Sequence, residues 1–268
     1  MNAPTKVGAR RGAWAVWHAM AVLAVVVFAP WLSLDADATD LARVYASPSW
    51  THPFGCDDTG RDVLARAVRG ARTTIGASLV GVALAAFVGT ALGALAGSRR
   101  GIVDAIVMRA IEAFVCFPTL LVLLLIGACF GSSPLAVSAS FAVAMWPSFA
   151  RVVRGELLSL REREYVQTAR ELGVRGFRLF TGHVLPQLRG QVAVVAAFCM
   201  ASAIVAESTL SFLGIGPGPQ SGSWGAILAQ GKANLHVGVW HLWVIPGALI
   251  SSCVLCCHAL AERMRPRS

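Results

Sequence analysis

The side chains that could do chemistry are few, and most sit in apolar company. Cys253, Cys256, Cys257 and His258 include a C-x-x-C step of the kind zinc sites use. They lie inside an apolar run with no second ligand pair, so they read as packing residues and no metal ligand is assigned. Cys56, Cys116, Cys129 and Cys199 bring the cysteine count to an odd seven, which implies no disulfide framework. His236 and His241, at the start of the last apolar run, could touch a metal chelate. Glu207 also lies in an apolar run, where a charge costs about 2.5–3.5 kcal/mol and must face protein or a water-filled path. It either lines or gates such a path, with Ser211 beside it in sequence, or cross-links helices. Arg109 and Glu112 are three apart on one helix face and can pair. They read as a structural ion pair, and they too are candidates for a path.

Catalysis finds no support in these residues. A phosphate-binding loop needs G-x-x-x-x-G-K-[ST]. The nearest approach, Gly225 to Gly231 and Lys232, has one residue too many between the glycines and Ala233 where a hydroxyl is required. His183 and His258 lack polar company in sequence, so no catalytic residue is assigned.

The elements that must position these residues are set by composition. Of the 268 residues, 56% are apolar and 14% charged, and the mean hydropathy is +0.65. Soluble domains carry about 45–50% apolar and about 25% charged residues. The excess calls for a bilayer, and a spanning helix needs roughly 20 apolar residues. Six runs qualify: residues 13–34, 73–97, 102–130, 135–153, 192–213 and 237–260. The first follows Lys6, Arg10 and Arg11 and reads as an uncleaved signal-anchor. In the second, Gly76, Gly81, Gly89, Gly93 and Gly97 include small-xxx-small spacings that let helices approach closely. Gly131 to Pro134 reads as a turn.

The net charge of +9 does not describe a nucleic-acid face, because the arginines sit in short segments between apolar runs. Their bias places both termini in the cytoplasm. The stretch from Arg61 to Arg72, offset by Asp57, Asp58 and Asp62, is the external exception.

The longest cytoplasmic segment, residues 151–187, carries the function. Tyr165, Val166, Ala169 and Leu172 recur at helical spacing, and Gly173 is a helix stop. A second short helix is expected over 177–184, closed by Pro186. The segment is therefore a helix–Gly–helix hairpin outside the bilayer. It either rests on lipid or fits a groove on a separate motor.

This segment resembles the EAA loop of bacterial ABC importer permeases, Glu-Ala-Ala, three residues, Gly, nine residues, Ile-x-Leu-Pro. Here stand Gln167, Thr168, Ala169, Gly173, His183, Leu185 and Pro186, so the Ala–Gly–Leu-Pro spacing fits while the Glu, the first Ala and the Ile are replaced. Three further stretches are similar to the second permease subunit of the dipeptide/oligopeptide/nickel branch. They run from His52 to Leu64 with Cys56 where Thr is usual, from Met108 to Pro118 with Glu112 where Asp is usual, and from Glu207 to Gly216 followed by Ser223-Trp224-Gly225.

The resemblance implies an all-α polytopic permease of six membrane helices. Residues 1–72 would form the tail, first span and external loop, and 73–268 a five-helix core with its coupling loop at 154–189. Tyr165, Gln167, Thr168, Ala169, Leu172, Gly173, Leu185 and Pro186 would meet an ATPase. The implied partners are a second homologous permease subunit, two ATPase subunits, an external substrate-binding protein and membrane lipid, with no nucleic acid. This chain would hold no cofactor, since ATP and Mg would bind the ATPase subunits. The implied cargo is a di- or oligopeptide, the alternative nickel or a metal chelate. A secondary transporter would need a coupling-ion site, and no internal repeat is visible.

Overall fold

The computed structural model describes residues 35–99, 101–131, 133–160, 162–163, 167–168 and 185–265. Seven α-helices occur among them: α1 Val63–Ser98, α2 Ile102–Val115, α3 Thr119–Phe130, α4 Pro134–Leu160, α5 Leu185–Phe212, α6 Trp224–Ala233 and α7 His241–Met264. The only extended pairing among the described residues is one isolated bridge between Cys56 and Asp62, so the expected all-α class holds there.

The count of six spans is corrected. Among the described residues, four helices are long and apolar enough to cross a membrane: α1, α4, α5 and α7. A fifth span exists only if α2 and α3 are taken together, and these are bent by 87°. Residues 102–130 are thus not one straight helix. Pro118 has no N–H to continue the ladder, and its ring disfavours helical geometry at the residue before it. α2 accordingly ends at Val115 and Pro118 caps α3. The run at 13–34 lies outside the described residues.

Helix ends also move outward. α4 extends to Leu160, α5 starts at Leu185, and α1 starts at Val63, so position 72/73 falls inside a helix. Asp62 sets the start of α1 by accepting the Ala65 N–H at 3.0 Å. Gly131, at φ +83°, ends α3, and the Ser133 hydroxyl accepts the Ala136 N–H at 3.2 Å to start α4.

α1 and α4 form the main contact, and glycine permits it. A Cβ at Gly89 would lie 2.5 Å from the Trp146 carbonyl oxygen, and one at Gly93 would lie 2.5 Å from that of Ala150. Gly81 and Gly97 meet Phe141 and Leu157 in the same way, whereas Gly76 has nothing within 4 Å. Close backbone approach replaces the hydrophobic driving force that lipid cannot supply. The Ser138 hydroxyl adds a bond to the Ala77 carbonyl at 3.0 Å. The central core joins Phe141 and Phe149 of α4 to Leu123, Ala203 and Leu210.

The bundle has two distinct ends. At one, Leu157 and Leu160 of α4 pack on Leu188 of α5, with Ala94 of α1 alongside. At the other, Val63 and Ala67 of α1 pack on Ile227 of α6 and on Val239 and Leu242 around the start of α7.

Candidate functional site

The end of α4 and the start of α5 share a fixed base. Val153, Leu157 and Leu160 of α4 and Leu188 of α5 bury one another there. Their close packing holds the end of α4 and the start of α5 together. Gln167 and Thr168 are helical and exposed, and the Gln167 N–H bonds the Arg163 carbonyl at 3.2 Å. Leu185 and Pro186 form the first turn of α5. Proline is tolerated there because a first-turn N–H has no helical acceptor. Pro186 is exposed. Tyr165, Ala169, Leu172 and Gly173 lie outside the described residues, as does the expected short helix at 177–184.

Beside this base, Arg154 of α4 grips Asp104 of α2 through two bonds of 2.5 and 2.7 Å. Sequence reasoning missed this pair, whose members are fifty positions apart. The expected Arg109–Glu112 pair forms at 2.8 Å, with both side chains exposed.

Glu207 is fully buried where α1, α5 and α6 meet. Its Oε1 accepts the Ser211 hydroxyl at 2.7 Å. The Thr74 and Ser223 hydroxyls stand beside the carboxyl, but neither meets Oε2 in bonding geometry, and the buried Ser208 hydroxyl also has no partner among the described residues. The Trp224 indole N–H bonds the Ala67 carbonyl at 2.9 Å and closes the junction. Glu207 and Ser211 are therefore brought together within α5 by a bond four residues apart.

The far end is tied by Asp57, which is wholly buried outside the spans. Its Oδ1 accepts the Thr59 N–H at 2.9 Å and the Arg61 N–H at 3.0 Å. Its Oδ2 accepts the Arg61 Nε at 2.8 Å and the buried Arg66 guanidinium. Burial alone would raise this carboxyl, but the two N–H donors and the Arg66 charge outweigh it and hold the pKa below the ordinary carboxylate range. Arg66 also bonds Gln230 of α6 at 2.5 Å, and Gln230 bonds Asp58. Arg43 donates to His52 Nε2 at 2.6 Å, so His52 carries its proton on Nδ1 and donates it to Asp62, also at 2.6 Å.

Of Cys253, Cys256, Cys257 and His258, the last is exposed and Cys257 half-buried. Cys253 and Cys256 are buried, and the His258 Nδ1–H donates to the Val254 carbonyl at 2.8 Å. His236 is exposed, while His241 is buried against the Cys56 carbonyl. Cavities among the described residues include two of similar size. One of about 510 Å³ lies between α3, α4, α5 and α7, and one of about 520 Å³ lies at the Asp58–Gln230 end, where Ser211 lines it. Glu207, Arg109 and Glu112 line neither.

Residues 89–268 match the family model described as binding-protein-dependent transport system inner membrane component. The chain is 35% identical over 245 residues to a Brucella suis protein named for a peptide transport system permease, which covers 91% of this chain and 82% of that one. It is 33% identical over 246 residues to a Brucella ovis protein named a peptide permease, covering 91% and 81%. It is 35% identical over 230 residues to DdpC of Escherichia coli, named for D,D-dipeptide transport, covering 85% and 77%. The chain therefore belongs to the family of binding-protein-dependent transport system inner membrane components.

Proposed function

We propose that this chain forms one half of the translocation pathway of an ATP-driven peptide importer. The observation that carries the reading is the leucine clamp of Leu157, Leu160 and Leu188, which holds the end of α4 against the start of α5, the two points that residues 161–184 connect. A motor acting on that segment would move α4 and α5 together, and through Gly89 and Gly93 it would move α1 as well. Tyr165, Gln167, Thr168, Ala169, Leu172, Gly173, Leu185 and Pro186 would form the contact with the ATPase subunits, which hold the ATP and Mg. That end would face the cytoplasm. A second homologous permease subunit would complete the path, and an external binding protein would deliver cargo to the end built by Asp57, Arg66 and Gln230.

Peptide is favoured over nickel by the names of the relatives. The test is co-purification with the ATPase and second permease subunits, followed by uptake of labelled peptide and of nickel ion. Peptide uptake stimulated by the binding protein supports the reading. Nickel uptake alone moves it to the alternative cargo.

A further inference from the structure

The Arg154–Asp104 fork lies outside the proposed ATPase contact, yet it stands on the helix that would carry the motor's motion. Arg154 comes one turn before Leu157 of the clamp, and its bonds of 2.5 and 2.7 Å grip Asp104 in the first turn of α2. α2 then lies against α4. Val107 and Ile111 join Trp146 and Ala150 in one buried cluster, and the Phe114 and Trp146 rings meet edge-on at 5.5 Å. Past the 87° bend, α3 leaves this face and buries Leu123 in the central core. Its far end reaches the outer loop, where a Cβ at Gly127 would lie 2.8 Å from Ile215 Cγ2. Gly214, Gly216 and Pro217, on either side of Ile215, line the cavity of about 520 Å³ beside Asp58 and Gln230.

Resting on the permease reading, we infer that α2 and α3 form a bent lever that carries motion of the α4 end to the outer loop 214–218, with Arg154 and Asp104 as the positioning pair that engages it. A guanidinium held at two points fixes orientation as well as distance, so the first turn of α2 follows α4 in rotation and in translation. Packed apolar surfaces shift as units rather than deform continuously, so α2 moves as a body with that face. The break between Val115 and Thr119 supplies the joint, since a few residues at helix ends absorb the backbone change of a hinge. Gly127 brings α3 so close to Ile215 that displacing α3 displaces that side chain. The motor's stroke thereby reaches the outer cavity by a route separate from α1 and α5.

The test reads the outer loop while the inner pair is altered. Gly218→Cys, at an exposed position where a Cβ meets nothing within 4 Å, takes an environment-sensitive fluorophore. The chain also carries Cys116→Ser and Cys129→Ser, which remove the exposed thiols among the described residues. The full importer is reconstituted in proteoliposomes with its ATPase subunits and binding protein. The ATP-dependent change in fluorescence, ATP hydrolysis and uptake of labelled peptide are measured on one preparation. Asp104→Asn is expected to leave assembly and ATP hydrolysis in place. It should reduce the ATP-dependent signal and the peptide carried per ATP hydrolysed, each about fivefold or more, as for lost coupling between two sites. Ile215→Ala, at the other end of the lever, should reproduce this pattern. If Asp104→Asn fails to assemble, Arg154→Lys carries the same expectation, because it keeps the charge and gives up the two-point grip.

A full ATP-dependent signal at position 218 in any of these variants overturns the inference, because the outer loop then moves without the lever. A fall in ATP hydrolysis that matches the fall in uptake also overturns it, since the pair then only supports the fold. ATP-dependent uptake by the labelled chain with Asp104, Arg154 and Ile215 intact reads the permease function separately, so the two failures are distinguishable.

Discussion

The His241 Nε2 lies 3.0 Å from the Cys56 carbonyl oxygen, bonding the first residue of α7 to a loop 185 positions earlier. A carbonyl only accepts, so Nε2 carries the proton. Both residues are buried, and Gly55, at φ +75°, lets the loop pass so close that a Cβ there would lie 3.0 Å from the ring. His241→Leu leaves a buried carbonyl without this donor, at an expected cost of about 1–3 kcal/mol. A lowered melting temperature of the purified complex is expected, partly restored by His241→Gln. An unchanged melting temperature in His241→Leu would remove this bond from the account.

Asp57 gives the far end an acid-sensitive joint. Its carboxyl is held below the ordinary range, so it stays ionised in the folded protein where the unfolded chain would bind a proton. Its contribution is complete above the unfolded carboxylate range and is lost as pH falls through the lowered folded value, below about pH 4. Asp57→Asn strands the buried Arg66 guanidinium without its carboxylate, a change that costs about 3–5 kcal/mol. Denaturation followed against pH should show lower stability at neutral pH and a shallower acid-side fall than wild type. A variant that parallels the wild-type curve would contradict this.

Legibility in the sequence followed the range of each interaction. Local features were readable: the Gly81–Gly97 packing stripe, the Arg109–Glu112 pair and the turn at Gly131 all follow from helical spacing or φ preference. The break at Pro118 was also written in the chain, but hydropathy carried the run at 102–130 across it. Long-range polar joints were not readable. Arg66 and Gln230 are 164 positions apart, and nothing in either segment names the other. The start of α1 at Val63 followed from the same gap, because Arg66 looked like a loop charge until its buried partners were known. At the candidate site, Leu185 and Pro186 were visible as a motif. Leu157, Leu160 and Leu188, which hold that motif in place, looked like any apolar run.

The α1–α4 contact predicts a sharp contrast between two glycines of one helix. At Gly93 a Cβ would meet the Ala150 backbone, at 2.5 Å from O and 2.9 Å from Cα, and backbone cannot rotate away. Gly93→Ala should cost about 1–3 kcal/mol by forcing the helices apart. Gly76→Ala meets open space and should stabilise the helix by up to about 1 kcal/mol. Thermal stability in detergent and abundance in membranes measure both. Equal behaviour of the two variants would contradict the packing described.

Gly173 stands where the first short helix of the coupling segment is expected to stop. If it adopts positive φ, Gly173→Val costs about 1–2 kcal/mol for left-handed geometry, too little to prevent assembly of the membrane helices. Normal abundance, weakened ATPase association and lost uptake are expected. Full uptake by Gly173→Val at wild-type abundance would remove this segment from the proposed mechanism, and a pull-down of the ATPase subunits reads the intermediate step.

The central claim is that this chain moves peptide only when a separate ATPase drives it. Peptide uptake into proteoliposomes tests this directly, with this chain and its second permease subunit present and the ATPase subunits, binding protein and ATP supplied or withheld one at a time. The account predicts accumulation only when all are present, and no ATP hydrolysis by this chain alone. Accumulation driven by an ion gradient without the ATPase subunits would contradict it.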